Sequence, residues 1–132
     1  MTKLETITAE DLQNRTYEPT HFLVDELIPE GLHILAGAPK IGKSFLVAQI
    51  AYHVSTGEAL WGYEVNPGTV LYLALEDDFQ RIQSRMFMMY GVNDTDRLHF
   101  ATAAGKIGNG LDEQLENFVR EHPDTKLIII DT

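Results

Sequence analysis

The chain has 132 residues, with 10 Lys and Arg against 20 Asp and Glu and a formal net charge of −10; no cations cluster, which excludes a strongly basic nucleic-acid surface in this stretch. It contains no cysteine, which excludes a disulfide framework, a thiolate metal site and a cysteine nucleophile. The length fits one domain with a real core, and neither a signal-peptide start nor an apolar run near 18 residues occurs, so a soluble cytoplasmic protein is expected.

Thr8-Ala9-Glu10-Asp11-Leu12 reads as the start of a short helix, with Thr8 as N-cap and Asp11 three residues on. The helix should end before Tyr17-Glu18-Pro19. Residues 22–29 form a second short amphipathic piece. This N-terminal section is expected to pack along one edge of the core, with Tyr17 and His21 in structural roles.

Leu32-His33-Ile34-Leu35-Ala36 is an apolar run after Pro29-Glu30-Gly31, of the length expected for a buried strand. It leads into Gly37-Ala38-Pro39-Lys40-Ile41-Gly42-Lys43-Ser44, which fills every fixed position of the phosphate-binding pattern G-x-x-x-x-G-K-[ST]. Average composition yields such a match by chance in roughly one chain in a hundred or fewer. Residues 45–54 are apolar on nearly every side and stop at Thr56-Gly57, the mark of a buried helix with a glycine stop. A strand, a glycine loop and a helix are the context in which the pattern has meaning.

Each fixed residue has its own physical reason. Gly37 and Gly42 let the backbone adopt left-handed or crowded conformations, so that successive N–H groups curl around phosphate oxygens. The helix N-terminus adds partial positive charge. Lys43 is placed to reach the β- and γ-phosphates, and Ser44 to offer its hydroxyl to Mg²⁺. The candidate nucleotide-binding residues are therefore Gly37, Ala38, Pro39, Lys40, Ile41, Gly42, Lys43, Ser44 and Phe45.

Residues 57–68 read as a loop that holds the only Trp, Trp61, and closes on the turn sequence Asn66-Pro67-Gly68. Trp61 is expected to plug the loop onto the core. Thr69-Val70-Leu71-Tyr72-Leu73-Ala74-Leu75 is a near-continuous apolar run of the kind a parallel sheet buries on both faces, and it ends in Glu76-Asp77-Asp78. Carboxylates at the C-terminal end of such a strand lie where open α/β sheets bind ligands, which makes Glu76 a candidate. Asp77 and Asp78 read as the cap of a helix over residues 79–90 that stops at Gly91. On it Arg81 and Arg85 are expected on a solvated face, with a cationic contribution to a neighbouring subunit's nucleotide as the alternative. Met86-Phe87-Met88-Met89 is expected in the core.

Leu98-His99-Phe100-Ala101 is a third strand, and residues 102–110 a loose segment with three glycines. Asp112 opens a helix with Leu111, Leu115, Phe118 and Val119 along one face. Lys126-Leu127-Ile128-Ile129-Ile130-Asp131-Thr132 is an aliphatic strand ending in an acid, the pattern of the Walker B motif, whose Asp holds Mg²⁺ together with the loop hydroxyl. Asp131 and Ser44 are the candidate metal residues.

GAPKIGKS, VLYLALED and LIIID together resemble the RecA-like branch of P-loop ATPases. More narrowly, the P-K-x-G-K-S loop, the L-W-G segment and L-E-D-D look like RepA-type plasmid replicative helicases and related phage and mobile-element AAA-labelled ATPases, over residues 22–132. The resemblance implies a three-layer αβα fold with a mainly parallel sheet, ATP and Mg²⁺ as ligands, and Glu76 polarising the attacking water while Lys43 neutralises charge. It also implies a homo-hexamer coupled to DNA, with channel loops and an arginine finger that follow the Walker B strand. In such sheets a further strand lies between the Walker B strand and the loop strand, so residues 31–132 are expected to be the N-terminal portion of the core, incomplete after Asp131. Residues 1–30 are a peripheral segment, and residues 1–132 alone should show little turnover. A P-loop kinase acting on a small acceptor and a nucleotide-responsive module without turnover are the alternatives.

Overall fold

The computed structural model describes residues 2–37, 42–91 and 95–132. The element order is α1 (Ala9–Asn14), β1 (Phe22–Val24), β2 (Ile28–Pro29), α2 (Lys43–Thr56), β3 (Thr69–Ala74), α3 (Phe79–Tyr90), β4 (Leu98–Ala101), α4 (Leu111–Glu121) and β5 (Thr125–Asp131). None of the helices among the described residues is long and apolar enough to cross a membrane.

β3 is the centre, because every one of its six residues is buried. It pairs in parallel with β4 on one side and β5 on the other, giving the order β4-β3-β5. Alternation along β3 divides the core. Val70, Tyr72 and Ala74 face a cluster with Leu23, Val24, Ala48, Ala51, Val54, Leu60 and Ile82, so α2, α3 and the hairpin cover that side. Leu71 and Leu73 face Leu111, with Leu115, Phe118 and Ile128 packed around them, so α4 covers the other. The result is a mixed α/β arrangement with helices on both faces of a three-stranded parallel sheet.

Glycine sets the limits of α2. Gly42 before it has φ 88° and Gly57 after it φ 82°, both left-handed, and Gly57 N–H donates back to His53 O. Gly68 matters for a different reason. A Cβ there would fall on the carbonyl oxygen of Asp124 and on the Lys126 side chain, at the point where Thr69 N–H donates to Asp124 O at 3.1 Å. Gly68→Ala is therefore expected to destabilise the fold by about 1–3 kcal/mol through overpacking, since a backbone atom is the obstacle. Thermal melting checks this, with a fall of at least about 5 °C expected.

Four expectations are corrected. Residues 32–37 form no strand, and Leu32 and Ile34 are 94% and 87% exposed. An apolar run becomes a strand only against a partner, and among the described residues β5 is the sheet's edge strand and does not pair with them. The piece over residues 22–29 is an antiparallel hairpin, β1 against β2, tied to the following loop where Asp25 N–H donates to Glu64 O and Asn66 N–H to Leu23 O. α1 buries none of its residues, although Thr8 caps it as read, accepting from Asp11 N–H at 3.1 Å. Tyr17 too is exposed, so the N-terminal packing is done by Leu23 and Val24 of the hairpin.

Trp61 is the fourth. Leu60 and Tyr63 exchange backbone hydrogen bonds around a two-residue turn in which Trp61 and Gly62 both have positive φ. That turn drives Leu60 fully into the core and leaves Trp61 half exposed. The Met cluster divides similarly: Met86 and Met89 pack on the core, whereas Phe87 and Met88 face outward.

Candidate functional site

The carboxyl ends of β3 and β5 and the first turn of α2 converge on one cavity of about 230 Å³, lined by Ser44, Ala74, Glu76, Asp77, Arg81, Arg85, Asp131 and Thr132. Register makes this possible. Ala74 pairs with Asp131, and Leu75 N–H donates to Asp131 O at 3.0 Å, so the two strands end level. Residues that follow β3 then meet the last residue of β5.

Asp131 sits at the focus. Its Oδ2 accepts from Ser44 Oγ at 3.0 Å and from Tyr72 Oη at 2.7 Å. Ser44 and Asp131 are 87 positions apart in the chain, so their meeting is a product of the fold. Tyr72 is almost wholly buried. Burial, and next its hydrogen bond to Asp131, push the phenol well above the ordinary tyrosine range, so it stays a protonated donor. With Oδ2 engaged by two hydroxyls, the carboxylate is held in one orientation.

Glu76 stands exposed on the loop after β3 and lines the same cavity. The loop is fixed by its neighbours. Asp77 Oδ1 accepts from Asp78 N–H at 2.9 Å, and its Oδ2 lies 2.9 Å from Arg85 Nη2. Burial works to raise the Asp77 carboxyl, but the Asp78 N–H and the Arg85 guanidinium outweigh it and hold the group below its ordinary range. Asp78 caps α3 through Arg81 N–H at 2.8 Å, and Arg81 Nε also approaches Asp77 and Asp78.

Of the phosphate-loop residues, Gly37, Gly42, Lys43, Ser44 and Phe45 are described, and Ala38, Pro39, Lys40 and Ile41 lie outside the described residues. Lys43 Nζ donates to Gly37 O at 2.7 Å, so its ammonium lies against the opening residue of the loop. Phe45 lies on the first turn of α2, with the Arg85 guanidinium 5.5 Å from its ring centroid.

A family model described as an AAA domain matches residues 2–132. The chain belongs to this AAA-type P-loop ATPase family. No curated protein and no solved structure was found to match it. Membership implies nucleotide binding and ATPase activity in general, and it gives the meeting of Ser44, Glu76 and Asp131 in this AAA domain a chemical context.

Whether these residues suit Mg²⁺ is decided by their donors. Ser44 Oγ and the Asp131 carboxylate are hard oxygen ligands within 3.0 Å of each other. No group of three or more His, Cys, Asp or Glu poised for a metal occurs among the described residues. That sparse set fits Mg²⁺, which keeps several waters and binds through one or two protein oxygens plus substrate phosphates.

Sequence reasoning passed over Tyr72, read Asp77 only as part of a helix cap, and read Arg85 as one of a solvated pair with a neighbouring subunit's nucleotide as the alternative. Tyr72 had a signal: it shares strand parity with Ala74 and Glu76, so it lies on the face that looks toward Ser44. Arg85 had one as well, two helical turns beyond Asp77 and in line with Arg81. The expectation of a solvated pair holds for Arg81, whose side chain is 66% exposed, and is corrected for Arg85, at 18%.

Proposed function

We propose that this AAA domain is the nucleotide-binding part of a RecA/RepA-like motor that hydrolyses ATP with Mg²⁺ and couples the cycle to DNA. The observation that carries the reading is the hydrogen bond from Ser44 to Asp131, which joins the loop hydroxyl to the strand-end acid beside Glu76. Residues 31–132 form the core of the reading, with a RecA-like sheet, and residues 1–30 its peripheral segment. The RepA-type assignment rests on the L-W-G and L-E-D-D segments. A homo-hexamer follows from that resemblance. The acidic balance of the chain puts any DNA contact away from a basic patch in it.

In this mechanism the backbone N–H groups of Gly37, Ala38, Lys40, Ile41 and Gly42 cradle the phosphates, with Pro39 part of the loop but no donor, continued by Lys43, Ser44 and Phe45 at the start of α2. Lys43 neutralises charge on the β- and γ-phosphates. Ser44 and Asp131 would hold Mg²⁺, which would supply positive charge to offset that of the phosphates. Glu76 accepts a hydrogen bond from water and aims it in line at the γ-phosphorus. A new P–O bond forms, the bond to the β-phosphate oxygen breaks, and ADP leaves as the base takes up the water proton.

Lys43→Ala tests the reading at its root. Losing a charge-assisted contact to phosphate is expected to weaken Mg-ATP binding about 10–100-fold in equilibrium titration. Affinity equal to that of the wild type would remove the phosphate site. Single-stranded DNA raising ATP turnover in the intact protein supports the motor; turnover that instead requires a small phosphate acceptor points to a kinase.

A further inference from the structure

Arg85 sets a physical problem. Its guanidinium is largely enclosed, it lines the cavity that holds Ser44, Glu76 and Asp131, and it is not on the phosphate loop. An enclosed cation needs a partner, and Asp77 supplies one at 2.9 Å. Asp77 does not exhaust it. A guanidinium carries five N–H donors in a fixed plane, and the Asp77 contact engages Nη2.

The rest of the side chain is aimed by packing. Its guanidinium lies 5.5 Å from the centroid of the Phe45 ring, and Phe45 directly follows Ser44 at the amino end of α2. The planar fork is thus held at the phosphate end of that helix by an acid on one side and an aromatic face on the other. A triphosphate bound in this cavity would need a cation beside it. Three carboxylates, from Glu76, Asp77 and Asp131, and two guanidinium groups, from Arg81 and Arg85, line the cavity. A triphosphate tail adds further negative charge, while Arg81 is mostly in solvent and Lys43 is directed at Gly37 O.

We infer that Arg85 contacts the terminal phosphate of a nucleoside triphosphate bound by its own chain, with Asp77 as the positioning residue that holds its guanidinium plane. The inference rests on the nucleotide-site reading above and adds to it a residue that tells triphosphate from diphosphate. An arginine suits this role because its fork engages a carboxylate and a phosphate oxygen together, which a lysine point charge does not.

The test is equilibrium binding of two probes with Mg²⁺ to the intact protein: an ATP analogue with an imido bridge between the β- and γ-phosphates, and ADP. Arg85→Met keeps most of the stem over Phe45 and is expected to weaken the triphosphate analogue about tenfold or more. ADP affinity should stay within about twofold, since ADP lacks the group that Arg85 touches. Asp77→Asn leaves the Arg85 charge but loosens its plane, and is expected to lose a smaller part of the same preference. If Arg85→Met melts below the assay temperature, Arg85→Lys takes its place, with a loss of about threefold or more in the triphosphate-to-diphosphate ratio.

An unchanged ratio in the folded Arg85 variant, or an equal loss of both ligands, overturns the inference. Wild-type protein that binds neither nucleotide, or Lys43→Ala that binds both normally, overturns the nucleotide-site reading and this inference with it. Nucleotide binding by the wild type that is weakened in Lys43→Ala, beside an unchanged Arg85 ratio, overturns the Arg85 role alone.

Discussion

Glu76→Gln is expected to lower ATP turnover of the intact protein about 10²–10⁴-fold, the range that a positioned base contributes, while ATP binding stays within about twofold. The substitution keeps size and hydrogen-bonding reach and removes only the negative charge and basicity. Glu76 is exposed on the loop after β3, so the fold does not depend on it and stability should shift by no more than about 0.5 kcal/mol. Its neighbours carry the structural load: Asp77 is tied to Arg85 and Asp78 caps α3. A loss of turnover with unchanged melting and unchanged binding thus isolates chemistry from folding. Turnover equal to that of the wild type would move the water-activating role elsewhere, and a wild type that binds ATP without measurable turnover would favour a nucleotide-responsive module.

The same contrast explains what a reading of residues alone reached. β3, β4 and β5 were legible because each is an apolar run bounded by turn residues or a charge, and α2, α3 and α4 because glycines, acids or apolar spacing mark their limits. Such signals are local. Residues 32–37 carry the same apolar signal and yet make no strand, because pairing is decided by what lies alongside. Trp61 is the largest side chain of its loop, and hydrophobic size pointed to it as the plug. The turn geometry chose Leu60 instead. Within the site, the candidates Ser44, Glu76 and Asp131 came from motifs, whereas the contacts of Tyr72 with Asp131 and of Arg85 with Asp77 became visible only once β3, α3 and β5 were arranged in space. A tyrosine in an apolar strand and an arginine on an amphipathic helix are ordinary in sequence, and their partners Asp131 and Asp77 are what make them informative.

Asp131 joins the two roles, structural and chemical, and two substitutions there separate them. Asp131→Asn keeps an oxygen that accepts from Ser44 and Tyr72 and removes the charge. It is expected to raise the Mg²⁺ concentration needed for half-maximal turnover at least about tenfold and to reduce the maximal rate about 10²–10³-fold, the scale of one lost electrostatic stabiliser of the transition state. Melting should change little, because the hydrogen bonds seen at 2.7 and 3.0 Å still have an acceptor. Asp131→Ala removes that acceptor as well. Tyr72 is 1% exposed, so its hydroxyl is left without Asp131 in a place that solvent hardly reaches, at a cost of about 1–3 kcal/mol. The alanine variant should therefore share the catalytic defect of the asparagine variant and melt several degrees lower. Adding Tyr72→Phe to Asp131→Ala takes away the orphaned hydroxyl and should restore most of that melting loss without restoring turnover, the double-mutant signature of a pair whose structural and catalytic contributions are distinct. Were Asp131→Asn to hydrolyse ATP with the wild-type dependence on Mg²⁺, the metal-site reading of Ser44 and Asp131 would fail, and their hydrogen bond would be a matter of folding alone.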